Sequence, residues 1–268
     1  MNMLELEFAQ ASDCGMVRDH NEDYLGYALP DVSAQAGKRE WLFALADGVG
    51  GQELGEVASR TAVETLLAGF HRARNGDQHA ALLPRLVREA NTKVFETGMA
   101  SGRGGSGMAT TLVTCALRFD RMVVAHVGDS RCYRIRHRHA EALTRDHTVT
   151  NEQVLLGVLS TREASEARTS HLLSRSLGNE MFVNVDTHEH QVLPGDVLLL
   201  CSDGLHNLVT PPEMADIATR HARLEDAVQE LVDLANQRGG NDNVSVQLIR
   251  IRSVERVGMY RGRPYKLA

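Results

Sequence analysis

The sequence predicts an α+β protein in which antiparallel sheets carry helices on their outer faces. Strand-like and helix-like segments come in blocks, without the strict β-α alternation of a parallel doubly wound sheet. The 268 residues contain no internal repeat and no Pro/Ser-rich linker, and a content of 43% hydrophobic and 24% charged residues supports one large domain. A third observation concerns the block edges. Asn21-Glu22-Asp23, Ala46-Asp47-Gly48, Gly128-Asp129-Ser130-Arg131, Ser202-Asp203-Gly204 and Asn241-Asp242-Asn243 each sit where an apolar, strand-like run stops.

Glu40 to Ala46 is a short apolar run closed by Asp47-Gly48, as a buried strand would be. From Gly55 to about Arg74, Ala58, Ala62, Leu66 and Phe70 recur every four residues and predict an amphipathic helix. A second helix is expected from about Ala80 to Thr97, with Leu83, Val87, Ala90 and Val94 on one face and Pro84 tolerated near its start. Thr110 to Leu117 and Met122 to Val127 read as a hairpin, with Cys132 to Arg136 continuing the meander. The stretch from His147 to about Arg168 is polar around a Leu155-Leu156-Gly157-Val158-Leu159 island and reads as a mobile excursion. Val183 to Val192, a Pro194-Gly195 turn and Val197 to Leu200 lead into Ser202-Asp203-Gly204. A helical pair is expected at about Pro212 to Ala222 and Leu224 to Gln237, the second stopped by Gly239-Gly240, before a last strand at Val244 to Ile251. Residues 253–268 form a basic C-terminal tail carrying Arg256, Arg261, Arg263 and Lys266, read as a solvated segment or a docking element.

Composition removes several function classes. A formal net charge of -6 and a pI near 6.1 give no basic field for nucleic acid or an anionic membrane. No run approaches a membrane span, and the start lacks the basic and apolar regions of a secretory signal, so a cytoplasmic protein is expected. Cys14, Cys115, Cys132 and Cys201 have no Cys-x-x-Cys spacing and fall in apolar or strand-like stretches, which predicts buried, reduced thiols. None lies in a phosphate loop, so a cysteine-nucleophile phosphatase is excluded, and Arg103-Gly104-Gly105-Ser106-Gly107 lacks the Lys-Ser/Thr of a nucleotide-binding loop.

Asp-Gly and Asn-Asp are ordinary turn formers, but five such motifs in order point to a metal cage. A bare anion at the end of a buried strand is costly, whereas Mg²⁺ and Mn²⁺ select oxygen ligands.

The ordered motifs Gly15 to Asp23, Ala46 to Gly51, Gly107 to Thr111, Val127 to Arg131, Leu143 to His147, Arg175 to Gly178, Cys201 to Leu205 and Gly240 to Val244 resemble those of the metal-dependent protein phosphatases of type 2C, over residues 10–250. The resemblance implies a four-layer α-β-β-α sandwich, two antiparallel sheets flanked by pairs of helices, with residues 1–252 as the catalytic domain and about 147–168 as its flap. It also implies a binuclear Mn²⁺ or Mg²⁺ site and hydrolysis of phosphoserine and phosphothreonine proteins by a metal-bridging hydroxide, with no phosphoenzyme. By motif match Asp47 bridges the two ions, the Gly48 carbonyl ligates one, and Asp203 and Asp242 ligate the other, while Glu22 and Asp23 hold metal-bound waters. Arg18 matches the phosphate-binding arginine, whose planar fork suits two phosphate oxygens. Asp129 together with Asp203 matches the site of a third, weaker ion, with pairing to Arg131 or capping of a turn as the alternative. Gly50 and Gly51 allow either close backbone approach or a plain turn, and Thr110 and Thr111 are read as strand residues.

One position departs from the pattern. Many eukaryotic relatives carry a histidine where this chain has Val49, so the proton donor for the leaving group is unassigned; His20, His126 and His147 lie near motifs, His20 as a loop residue and His126 as a strand residue. The expected partners are phosphorylated proteins and an opposing serine/threonine kinase, with the chain acting as a monomer. The alternatives are a same-fold enzyme for small phosphoesters, and a phosphoprotein-binding module, which would require lost ligands.

Overall fold

The computed structural model describes residues 4–30, 40–49, 53–74, 76–101, 107–160, 162–163, 172–260 and 263–266. Two antiparallel sheets lie face to face. One contains β2 (Asp23–Ala28), β3 (Trp41–Val49), β5 (Leu112–Arg118), β6 (Arg121–Val127) and β9 (Asp186–Gln191) in that order, with the short β4 (Ala109–Thr110) paired to β3. The other runs β1 (Glu5–Asp13), β11 (Val244–Ser253), β10 (Val197–Cys201), β7 (Arg131–Arg136) and β8 (His139–Ala142). Helices α1 (Glu53–Arg72) and α2 (His79–Ala100) cover the first sheet, and α5 (Pro211–Arg220) and α6 (Leu224–Gln237) cover the second.

Strand periodicity explains the layering. In β3, Leu42, Ala44 and Ala46 face α1 and α2, whereas Phe43 and Leu45 face the opposite sheet. In β10, Val197, Leu199 and Cys201 pack under α5 and α6 while Leu198 and Leu200 fill the space between the sheets. Both strands are covered on two sides, so their sequences are continuous apolar runs rather than alternating ones. Three apolar layers thus separate four layers of secondary structure, the sandwich implied above.

Helix ends follow local chemistry. Thr210 and Glu213 form a reciprocal capping box at the start of α5, with Pro211 and Pro212 in its first turn, where a missing amide costs least. Past the end of α6, Gly239 and Gly240 adopt positive φ of 124° and 49° and stop the helix.

Several expectations are corrected. Cys132 to Arg136 does not continue the β5-β6 meander; as β7 it pairs with β10 and β8 in the other sheet. The chain changes sheet at Gly128-Asp129-Ser130, because Gly128 has a φ of 104° and Thr111 fills the space its side chain would take. The acidic motifs do not all follow strands: Asp129 and Asp203 do, just past β6 and β10, with Asp203 opening the short helix α4 (Asp203–His206), but Asp23 opens β2, Asp47 lies inside β3 and Asp242 precedes β11. Cys14 is half-buried in a loop, unlike Cys115, Cys132 and Cys201, and all four are free thiols. The predicted excursion begins as a capped helix, α3 (Val149–Leu155), with the Asn151 amide bound to the Thr148 hydroxyl. Within the basic tail, β12 (Val257–Tyr260) and β13 (Arg263–Lys266) pair as a separate hairpin.

Candidate active site

Strand register gathers the motifs at one end of the sandwich. In the first sheet Asp23 pairs with Asp47, and Leu112, at the start of β5, pairs with Val127 at the end of β6. In the second, Asp13 at the end of β1 meets Val244, and Cys201 at the end of β10 meets both Val246 and Arg131. The acids just beyond these ends therefore converge from both sheets. Burial, and after it the charges of Asp23, Asp203, Asp129 and Asp242, drive the pKa of Asp47 well above the ordinary carboxylate value. Burial and the charges of Asp203 and Asp242 raise Asp23 to about 7, and burial and Asp203 raise Asp129 likewise to about 7.

Two threonines hold Asp47. Its amide donates to Thr111 Oγ1 at 3.0 Å, while its carbonyl accepts from the Thr110 hydroxyl and the Thr111 amide, both at 2.8 Å. Thr111 Oγ1 also meets Ser130 Oγ at 2.6 Å, so the backbone of Asp47 is tied to the turn that carries Asp129. Both threonines are buried as expected, but only Thr110 lies in a strand; Thr111 sits in the break between β4 and β5, and the reading missed this fixing role. Thr111→Val keeps the shape but leaves the Asp47 amide without its acceptor. A loss of about 1–3 kcal/mol is expected in urea unfolding, together with a fall in turnover.

A second knot is Asn243. Its side chain accepts from the Glu22 amide at 2.8 Å and donates to the carbonyls of Cys14 and His20, both at 2.9 Å. This side chain joins the loop bearing Arg18 and Glu22 to the loop bearing Asp242. A Cβ at position 204 would overlap the Asn243 carbonyl, which explains the glycine after Asp203. Glu22 turns its carboxylate toward Gly55 in the first turn of α1, where the helix dipole favours an anion.

The donor set fits hard divalent cations. Asp23 is only 7% exposed, and neither carboxylate oxygen has a hydrogen-bond partner among the described residues. The Ser202 and Ser245 hydroxyls face it and lower its pKa somewhat, but they are bonded to the Asn243 carbonyl and to Ser12. Arg131 does not neutralise Asp129; its guanidinium forms a bidentate pair with Asp146 at 2.8 and 2.6 Å. Arg18 donates to Asp242 at 2.7 Å from a side chain that is 49% exposed. Gly48 lies in β3, where its amide donates to the Glu22 carbonyl at 3.1 Å, and Gly50 and Gly51 lie outside the described residues.

A groove of about 930 Å³ opens from this end. Its lining includes Arg18, Asp129, Asp203, Asp242, Arg145, Asn151 and Leu208. Val49 is exposed at the end of β3, His20 is exposed in its loop, and His126 and His147 are buried. His206 lines the groove with Nε2 bound to the Asp129 carbonyl at 3.0 Å.

A second set of potential ligand atoms, from His126, His147 and Asp186, lies within 4.8 Å of one another. It is less suited to a cation. His147 Nδ1 accepts from the Gly128 amide at 3.2 Å, which leaves the proton of the neutral ring on Nε2, and Asp186 already pairs with Arg175 at 3.0 Å.

The model of the family described as Protein phosphatase 2C matches residues 18–246. The chain is 34% identical over 255 residues to the serine/threonine phosphatase stp of Listeria welshimeri, covering 94% of this chain and 96% of that one. It superposes on the serine/threonine phosphatase of S. agalactiae with a TM-score of 0.83 at 31% identity, covering 92% of this chain and 100% of the other. A catalytic domain of the phosphatase PstP, solved in complex with 2 manganese ions, gives a TM-score of 0.78 at 30% identity, with 93% and 100% covered.

Proposed function

The chain belongs to the protein phosphatase 2C family, and from that premise we propose how its own residues carry out the hydrolysis. It is a metal-dependent serine/threonine phosphatase, and its substrates are phosphoproteins. The observation that supports the site best is the convergence of Asp23, Asp47, Asp129, Asp203 and Asp242 from both sheets, with the two carboxylate oxygens of Asp23 buried and lacking hydrogen-bond partners among the described residues.

Asp47 would hold both of two Mn²⁺ or Mg²⁺ ions, the Gly48 carbonyl one of them, and Asp203 and Asp242 the other. Glu22 and Asp23 would orient the surrounding waters, and Asp129 with Asp203 would hold a third ion. Bound there, such cations neutralise the phosphoryl oxygens and bring the pKa of water toward neutrality. The two threonines fix the Asp47 backbone, so its carboxylate does not have to reorganise during the reaction. The donor set matches two of the ways in which this chemistry needs help, since the phosphate dianion must be neutralised and water must be activated.

Arg18 supplies the substrate contact. Its guanidinium rests on Asp242 in this structure, and an ion held by Asp242 would release it toward two phosphate oxygens. Val49 offers no proton for the leaving alcohol, and the Nε2 of His206 is committed to Asp129, so solvent water is left as the donor. The groove is much larger than a phosphorylated side chain needs, which supports a protein substrate over a small phosphoester. We extend the reading to a monomer acting in the cytoplasm against a serine/threonine kinase. No helix among the described residues is long and apolar enough to cross a membrane.

The test separates binding from chemistry. Arg18→Ala is expected to raise KM for a phosphothreonine peptide about tenfold, the size of a lost charge-assisted contact, while the Mn²⁺ midpoint does not rise, since Asp242 loses a competing partner. An equal rise in the metal midpoint would show that Arg18 serves the cations.

A further inference from the structure

The backbone around Asp129 is held by two histidines, the buried His147 and the half-buried His206, that the hydrolytic roles above leave unused. On one side His147 grips Gly128 at both polar atoms: its ring Nδ1 accepts from the Gly128 amide at 3.2 Å, and its own amide donates to the Gly128 carbonyl at 3.0 Å. On the other side His206 Nε2 donates to the Asp129 carbonyl at 3.0 Å. The His147 ring therefore anchors the peptide leading into Gly128, its main-chain amide anchors the peptide between Gly128 and Asp129, and the His206 ring anchors the peptide after Asp129. The His147 ring is not free to turn. His147 stacks on His126 with centroids 4.6 Å apart and planes 17° from parallel, while His126 Nε2 is bonded to the Arg145 carbonyl at 2.9 Å. His147 Nε2 lies 3.4 Å from the Asp186 carboxylate. His206 sits in the last turn of α4, which opens with Asp203.

We propose that His147 and His206 form a clamp on the main chain that aims the Asp129 carboxylate into the groove beside Asp203, making both positioning residues for Asp129. The inference rests on the reading of Asp129 as a group that acts in turnover. The clamp suits that task because Gly128, with a φ of 104°, gives the Gly-Asp-Ser turn a conformation that its sequence alone does not fix, and a carboxylate near other anions would swing away from them. Backbone anchoring leaves both side-chain oxygens available. Burial lowers both histidines to a pKa of about 4, so their hydrogen-bonding roles do not change across the neutral range. The same histidines are poor proton donors for that reason.

The experiment is a double-mutant cycle on kcat for p-nitrophenyl phosphate at saturating Mn²⁺, with thermal melting of every variant. Asp129→Ala and His147→Leu are each expected to lower kcat about tenfold, the lower end of the effect of removing a group that orients a ligand, with little change in KM. The double variant should be no slower than Asp129→Ala alone. His147→Asn should recover most of the rate, since its side-chain oxygen sits where Nδ1 accepts, and His206→Gln should act nearly as wild type, since its amide nitrogen reaches the Nε2 position. Should His147→Leu fail to fold, His206→Leu in the Asp129→Ala background reads the same coupling from the other side. Losses that multiply in the double variant, or no recovery with His147→Asn, overturn the clamp while leaving the reading of Asp129 intact. Wild-type kcat for Asp129→Ala overturns both.

Discussion

Asp47→Asn and Asp203→Asn are each expected to lower turnover of p-nitrophenyl phosphate at least about a hundredfold, and EDTA to abolish it until Mn²⁺ is returned. The substitutions are nearly isosteric. Asp47 keeps its backbone contacts to Thr110 and Thr111, because none of them involves the carboxylate, so the fold at β3 is retained while one negative charge is lost. Among the acids at this end, Asp47 feels four others, so removing its charge also relieves repulsion. The variant should therefore melt no lower than the wild type in EDTA while being far less active in Mn²⁺. That opposition between stability and rate distinguishes a ligand from a structural residue. Full activity in EDTA would remove the metal-dependent mechanism altogether.

The second large effect concerns the protein without its ions. Asp23 and Asp129 have folded-state pKa values of about 7, Asp47 is shifted in the same direction, and an unfolded aspartate titrates near 3.9. Between about pH 4 and about pH 7 the folded state holds protons that the unfolded chain has released, so stability falls as pH rises through that window. One group shifted by three units corresponds to roughly 4 kcal/mol at neutral pH, or a drop in Tm of about 10 °C for a domain of this size. Melting in EDTA at about pH 5 and about pH 7.5 should reveal the drop, and excess Mn²⁺ should erase it because the cation takes the place of the proton. A flat Tm in EDTA across that range would contradict the shared burial of these acids.

Helices and doubly covered strands were the legible part of the fold. Leu224 to Gln237 matched its helix residue for residue, and Val197 to Leu200 could be read because both faces of β10 are buried. The half-exposed strands β1 and β8 went unread. β1 is an edge strand whose side chains alternate between exposed and half-buried positions, so it carries no apolar run. Sheet membership was also invisible for Cys132 to Arg136, since period-2 patterning gives the faces of a strand but not its neighbours. At the site, ordered motifs identified the acids, whereas the threonines behind Asp47, the knot at Asn243 and the clamp at Asp129 depend on contacts between segments far apart in sequence.

The place of β11 in its sheet has a consequence for biosynthesis. It lies between β1 and β10, so a strand near the beginning of the chain waits for one translated near the end, with Glu5 paired to Ser253. Asp242 stands just ahead of it. On the ribosome, β2, β3, β5, β6 and β9 can assemble and be covered by α1 and α2, but the second sheet lacks the strand that joins β1 to β10 until residue 253 has cleared the exit tunnel. A nascent chain thus holds Asp23 and Asp47 long before it holds Asp242, and the enzyme cannot strip phosphate from neighbouring proteins until the segment carrying Asp242 and β11 has emerged.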